Sequence, residues 1–195
     1  MLVFNSTWCL AQSPKTTLSL GFGFQNYNGD LGNTFFHFDE EWYGVAQVGV
    51  QRYVSPSVDV QGTLSIGDYG HCYDWVQDPN NPILDMRSRL TALNLGLIYK
   101  FNNEKILSST ARVQPFLGAG IGFNNLRDIW TQYRVNEGSY YSINGICGMG
   151  YSITKKIGAK FQMNLGYFTT DKLDYIDQGM NDLFLQNTLS VSIKL

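Results

Sequence analysis

Residues 157–167 read IGAKFQMNLGY. Apolar Ile157, Ala159, Phe161, Met163, Leu165 and Tyr167 alternate with Gly158, Lys160, Gln162, Asn164 and Gly166. A period of two places the first set on one face of a β-strand and the second set on the other. The apolar face carries no charge. The other face is mostly Gly, Asn and Gln, not the Lys and Glu that keep a water-facing surface soluble. A small soluble barrel turns its apolar face inward and needs charge outside, whereas this polar face suits a cramped, hydrated interior. The stretch therefore predicts a strand with its apolar side in lipid and its polar side lining a narrow lumen.

Seven further runs repeat the pattern. Leu18, Leu20, Phe22 and Phe24 oppose Ser19, Gly21, Gly23 and Gln25, and Ala46, Val48 and Val50 oppose Gln47, Gly49 and Gln51. Val58, Val60, Leu64 and Ile66 stand against Asp59, Gln61, Thr63 and Ser65. Leu93, Leu95, Leu97, Tyr99 and Phe101 stand against Asn94, Gly96 and Lys100. Runs beginning near Val113, Ile143 and Leu185 complete the set, with Pro115 and Asn187 as blemishes on the apolar face. Each run is about 9–12 residues, and a tilted membrane strand needs about 9–11. An even count of eight closes into a barrel just wide enough for side chains to fill it. The fold class expected over residues 16–195 is all-β: a transmembrane eight-stranded antiparallel up-and-down β-barrel.

Composition agrees. The chain has 195 residues, one domain's worth, with 14% aromatic and 15% charged residues, 20 Gly and a net charge of −2. It is too apolar to be disordered and lacks the basic excess of a nucleic-acid binder. Three Cys without a CxxC give neither a disulfide framework nor a zinc site, and no apolar run reaches the 18 or so residues of a spanning helix. Residues 1–12, MLVFNSTWCLAQ, read as the remnant of a secretory signal ending at Cys9-Leu10-Ala11, or as an N-terminal arm.

The connections between runs alternate in length. Short ones fall near 53–57, 102–111 and 154–156, and long ones near 26–41, 68–88, 124–140 and 168–183. Outer-membrane barrels have short periplasmic turns and longer external loops. The expected location is therefore the Gram-negative outer membrane, with the long loops outside and both termini periplasmic. Tyr and Trp near the strand ends suit interfacial girdles. Of the 16 acids, 14 lie in the long connections beside four cations, a net of −10, and the remainder of the chain carries +8. Acidic loops would form a solvated rim, bridge divalent cations to lipid phosphates, or meet a cationic partner.

At NYNGDLGN (26–33), QRYVSPSVDVQG (51–62), YKFNNEKIL (99–107) and VQPFLGAGIGF (113–123) the sequence resembles the N-terminal eight-stranded membrane barrel of OmpA-type outer-membrane proteins. The resemblance spans nearly the whole chain and implies a barrel, not a chemistry. OmpA-type proteins often continue into a peptidoglycan-binding domain. This sequence ends at Leu195, at the close of the last run, so wall anchoring is not expected.

Residues that could carry chemistry are few. His37 and His71 fall in long connections, with no nucleophile and base paired on the lipid face, so a lipid-modifying enzyme is not expected. The acids of DKLDYIDQGMND (171–182) miss the spacing of a calcium loop. No cofactor and no metal are expected. Two sets of residues remain. Asp59, the one acid expected to face the interior, should pair with inward cations toward the turn end: Lys100, Arg112, Lys160 and Lys194. In DYGHCYDW (68–75), Tyr69, His71, Tyr73 and Trp75 alternate as if strand three continued beyond the membrane with one aromatic face, either a lid over the barrel mouth or a partner-contact loop. The leading function is a structural, scaffolding or partner-binding outer-membrane barrel, alone or as a subunit of a larger complex. Its expected partners are outer-membrane lipid, lipopolysaccharide and other outer-membrane proteins, with no nucleic acid. The alternatives are a small pore or, on a different footing, a soluble lipocalin-type barrel.

Overall fold

The computed structural model describes residues 16–28, 43–71, 86–131, 137–170 and 182–195. Eight strands follow one another: β1 (Thr16–Asn28), β2 (Tyr43–Tyr53), β3 (Val58–His71), β4 (Met86–Lys100), β5 (Val113–Thr131), β6 (Gly138–Ser152), β7 (Ile157–Phe168) and β8 (Leu183–Lys194). Each pairs antiparallel with the next. The β1–β8 ladder, from Thr17↔Lys194 to Asn28↔Leu183, closes the sheet into a barrel. Closure removes both edges and pairs the backbone groups strand to strand, which a structure crossing hydrocarbon requires. Residues 1–12 lie outside the described residues.

The faces fall as the alternation predicts. The exposed large hydrophobics include Leu20 and Phe22 on β1, Leu64 on β3, Leu95 on β4, Ile121 on β5, Ile143 on β6, Leu165 on β7 and Leu189 on β8. Together they form a belt around the outside of the barrel. A continuous apolar surface of this kind belongs in lipid rather than water. Cys147 is on the same outer face.

The strands run further than hydropathy indicates. β3 and β4 stay paired to His71↔Met86, and β4 and β5 to Met86↔Thr131, with a bulge between Arg87 and Ser88. Backbone pairing needs no apolar side chain, so the ladder continues past the belt into segments that looked like loop.

The lumen holds an unexpected apolar component. Leu90, Ala92, Leu126, Phe168 and Phe184 point inward as one buried cluster, and Ile98, Phe116 and Ile146 form a second. Inward glycines make room for them. A Cβ on Gly166 would collide with the Phe184 ring, and one on Gly148 would meet Phe116 Cζ at 2.5 Å. The small inward residues are therefore not simply walls of a hydrated pore.

The short connections are locally encoded. At 54–57 the Ser55 hydroxyl accepts from Val58 N–H at 3.0 Å, and at 153–156 Thr154 does the same for Ile157 at 2.9 Å. In the 101–112 connection the buried Asn103 side chain accepts from Lys105 and Ile106 N–H and donates to Ser57 and Tyr99. Glu104 follows at φ 65°, in the left-handed region, with its carboxylate accepting from Ser109 N–H at 2.7 Å.

Candidate functional site

The inward rows carry Asp59, Gln61, Thr63 and Ser65 on β3, Gln47 and Gln51 on β2, Lys160 and Gln162 on β7, and Gln186 and Thr188 on β8. A barrel of eight strands brings opposite walls within side-chain reach. Gln61 Nε2 donates to Gln162 Oε1 at 2.9 Å, joining β3 to β7. Those strands are four apart in a ring of eight, so the bond spans the lumen along its diameter. Thr188 donates to Gln47 at 2.9 Å, and Gln186 donates to Gln25 at 2.8 Å and to Ser65 at 3.3 Å. Nearer the long connections, Asn144 donates to Asn94 at 2.7 Å, Ser142 to Asn144 at 2.9 Å, and Asn124 to Ser142 at 2.9 Å. Most of these buried groups pair with one another, as buried polar groups tend to, while Asn94 Nδ2 and Asn124 Oδ1 have no partner among the described residues.

Asp59 sits below this stack, toward the turns, and is 6% exposed. Lys100 Nζ lies 2.5 Å from its Oδ1, and Gln51 Nε2 donates to its Oδ2 at 2.7 Å. Lys160 donates to Gln61 at 2.8 Å and to Gln51 at 3.2 Å, with its ammonium 4.6 Å from the centre of the Phe116 ring. Lys100 lies likewise over Tyr53, at 4.6 Å. Asp59 and Lys100 thus meet directly, and Lys160 joins them through Gln51. Arg112 stands apart: it is exposed at the end of the 101–112 connection and forms no ion pair among the described residues. Below the network a vestibule of about 580 Å³ opens toward the turns, and Lys155, Lys156 and Lys194 line its lower part.

At the other end, β3 carries Tyr69 and His71 in register with Ser88 and Met86 of β4. Tyr73 and Trp75 lie outside the described residues. Just inside them Asp68 binds two arginines. Arg87 donates to Oδ2 from Nε at 3.2 Å and Nη2 at 2.7 Å, and Arg89 donates to Oδ1 at 3.1 and 3.0 Å.

Sequence reasoning did not find the glutamines that tie Lys160 to Asp59, nor the Asp68 fork. Alternation marked Gln51, Gln61 and Gln162 as inward, but nothing in it shows which inward residues share a height. Among the described residues no group of three His, Cys, Asp or Glu side chains could hold a metal.

No protein-family model matches the chain, and no curated protein matches it in sequence. Solved structures do match. Neisserial surface protein A (NspA) aligns with a TM-score of 0.60 at 12% identity, over 92% of this chain and 97% of that one. Ail, the attachment invasion locus protein of Yersinia pestis, solved in complex with the heparin analogue sucrose octasulfate, aligns with a TM-score of 0.52 at 13% identity, over 94% and 100%. The N-terminal β-barrel domain of Pseudomonas aeruginosa OprF aligns with a TM-score of 0.53 at 17% identity, over 92% and 97%. The likeness is one of fold: the chain has the architecture of the eight-stranded outer-membrane β-barrels.

Proposed function

We propose that this chain is an integral outer-membrane protein that acts as a sealed scaffold, holding acidic connections at one membrane surface for a partner, and neither conducts solute nor catalyses a reaction. What supports this is the closure of the lumen. The Gln61–Gln162 bond crosses the full diameter, Lys160 reaches the opposite wall to Gln51 and Gln61, and two apolar clusters fill space above and beside them. A permeating solute would have to break several buried hydrogen bonds and leave their partners unsatisfied.

The surface reading rests on charge and connection length. Long connections with a net charge of −10 face the outside, and the cationic turn end faces the periplasm, following the short-turn, long-loop asymmetry of outer-membrane barrels. Acidic loops of this kind repel a sulfated ligand such as the one bound to Ail, and favour a cationic protein surface. The Tyr69, His71, Tyr73 and Trp75 segment supplies aromatic anchors for such a contact.

The test is to insert the full chain into planar bilayers. Silence at all voltages is expected, and stable unitary conductance would overturn the sealed barrel. A pull-down in mild detergent with Tyr73→Ser/Trp75→Ser reads the partner surface: loss of a co-purifying protein with unchanged stability supports docking. Retention of the protein with lowered stability makes the segment a lid and removes it from the contact.

A further inference from the structure

The apolar belt is dented over β2. The outward row of that strand begins Gly44, Ala46, and on either side the neighbouring strands raise Phe22 and Phe24 from β1 and Ile66 from β3. The result is a groove of about 840 Å³ on the lipid-facing surface, and at its outer end stand Asp68 and Arg89. A Cβ at Gly44 would meet nothing within 4 Å, so closure of the barrel does not demand glycine there. A larger side chain would fit, and its absence keeps the groove open.

The charged end has its own irregularity. Asp68, Arg89 and Arg127 are successive register partners across β3, β4 and β5, on one outward row. Asp68 engages Arg89 on one side, while on the other Arg89 directly faces Arg127, which forms no ion pair among the described residues. Like charges opposite one another destabilise a sheet unless an anion sits between them. Arg89 and Arg127 thus face one another where the apolar belt ends, and Asp68 engages only the first of them. That is the level of lipid headgroups, and guanidinium forks match phosphate oxygens in bidentate geometry.

We propose that this surface is a binding site for one phosphorylated lipid. Its acyl chain lies over Gly44 and Ala46 between Phe24 and Ile66, and its phosphate bridges Arg89 and Arg127. Asp68 has a positioning role, holding the Arg89 guanidinium by Nε and Nη2 beside the groove. The site depends on the barrel's lying in a membrane as proposed above, and on no property of its loops.

The test uses the full chain in detergent micelles, with native mass spectrometry to count retained lipid. The probes are phosphatidic acid, phosphatidylcholine and inorganic phosphate. Retention of one phosphatidic acid per barrel, with a preference of about tenfold over phosphatidylcholine, is expected from charge-assisted phosphate contacts. Arg89→Gln/Arg127→Gln should erase the preference, and Gly44→Leu should release the lipid. Gly145→Leu is the control, because a Cβ there also meets nothing within 4 Å and Gly145 is far from the groove. Equal retention of both lipids, or competition by inorganic phosphate alone, would overturn the proposal. Loss in the arginine variant with full retention in Gly44→Leu would overturn the acyl groove. Gel mobility of the unboiled protein, which reports barrel closure, separates failure of this site from failure of the membrane-barrel fold itself.

Discussion

Replacing Asp59 by Leu removes the one carboxylate that pairs with Lys100 among the described residues and takes the acceptor from Gln51, whose amide lies 2.7 Å away. Breaking a buried ion pair from one side costs about 3–5 kcal/mol, because the remaining charge is left uncompensated. Two features reduce that figure here. The Lys100 side chain is 17% exposed at the wall of the 580 Å³ vestibule, so water reaches it. Its ammonium also rests over the Tyr53 ring, a contact worth about 0.5–1 kcal/mol that survives the change. The expected loss is about 2 kcal/mol, roughly thirtyfold in the folding equilibrium. The assay is reversible urea unfolding of the full chain in lipid vesicles, followed by tryptophan fluorescence, with m compared so that a change in midpoint is read as a change in stability. Asp59→Leu/Lys100→Met removes both charges and should recover the part of the loss that comes from the uncompensated ammonium, leaving only the Gln51 amide to find water in the vestibule. A single variant within about 0.5 kcal/mol of the parent, the spread of an ordinary surface substitution, would refute the claim that Asp59 and Lys100 form a structural pair.

Other outcomes follow from the same geometry. Leu165→Arg, on the outward belt, should cost about 2–4 kcal/mol if it sits near the membrane midplane. Gln162→Leu should cost about 1–3 kcal/mol by orphaning the Gln61 amide. Gly166→Ala should lower stability by about 1–3 kcal/mol through collision with Phe184, and Phe184→Leu should restore part of it; a neutral Gly166→Ala would contradict the packing. The side-chain and backbone hydrogen bonds of Ser109 hold the Glu104 carboxyl below its usual value of 4.5. A depressed pKa means the stabilisation is present above the unfolded-state value and disappears as pH falls through the folded one. Acid titration of the 101–112 connection, read by hydrogen exchange at Ser109, should therefore show protection lost below pH 4.5 in the parent but pH-independent in Glu104→Gln.

The alternation at 157–167 and its seven counterparts was enough to establish the eight strands, their inward and outward faces and the lipid-facing belt. These are local properties: side-chain direction repeats every two residues, and the absence of charge from one face needs no partner to be recognised. Asp59, Lys100 and Lys160 were legible as inward for the same reason. Height along the barrel axis was not legible, because it is set by the register of each ladder and by closure between β1 and β8. Gln61 and Gln162 are 101 residues apart yet bond across the lumen, whereas Arg112, grouped with the same cations by its position in the chain, stays at the exposed rim. The inward Phe116, Phe168 and Phe184 were hidden in strands whose outward rows are also apolar, where alternation loses its contrast. The groove over Gly44 and Ala46 exists only because β1 and β3 place larger residues on either side. The like-charge pair Arg89–Arg127 exists only because β4 and β5 align those two positions. A one-dimensional pattern states which way a side chain points; which other side chain it meets is decided by the closed sheet.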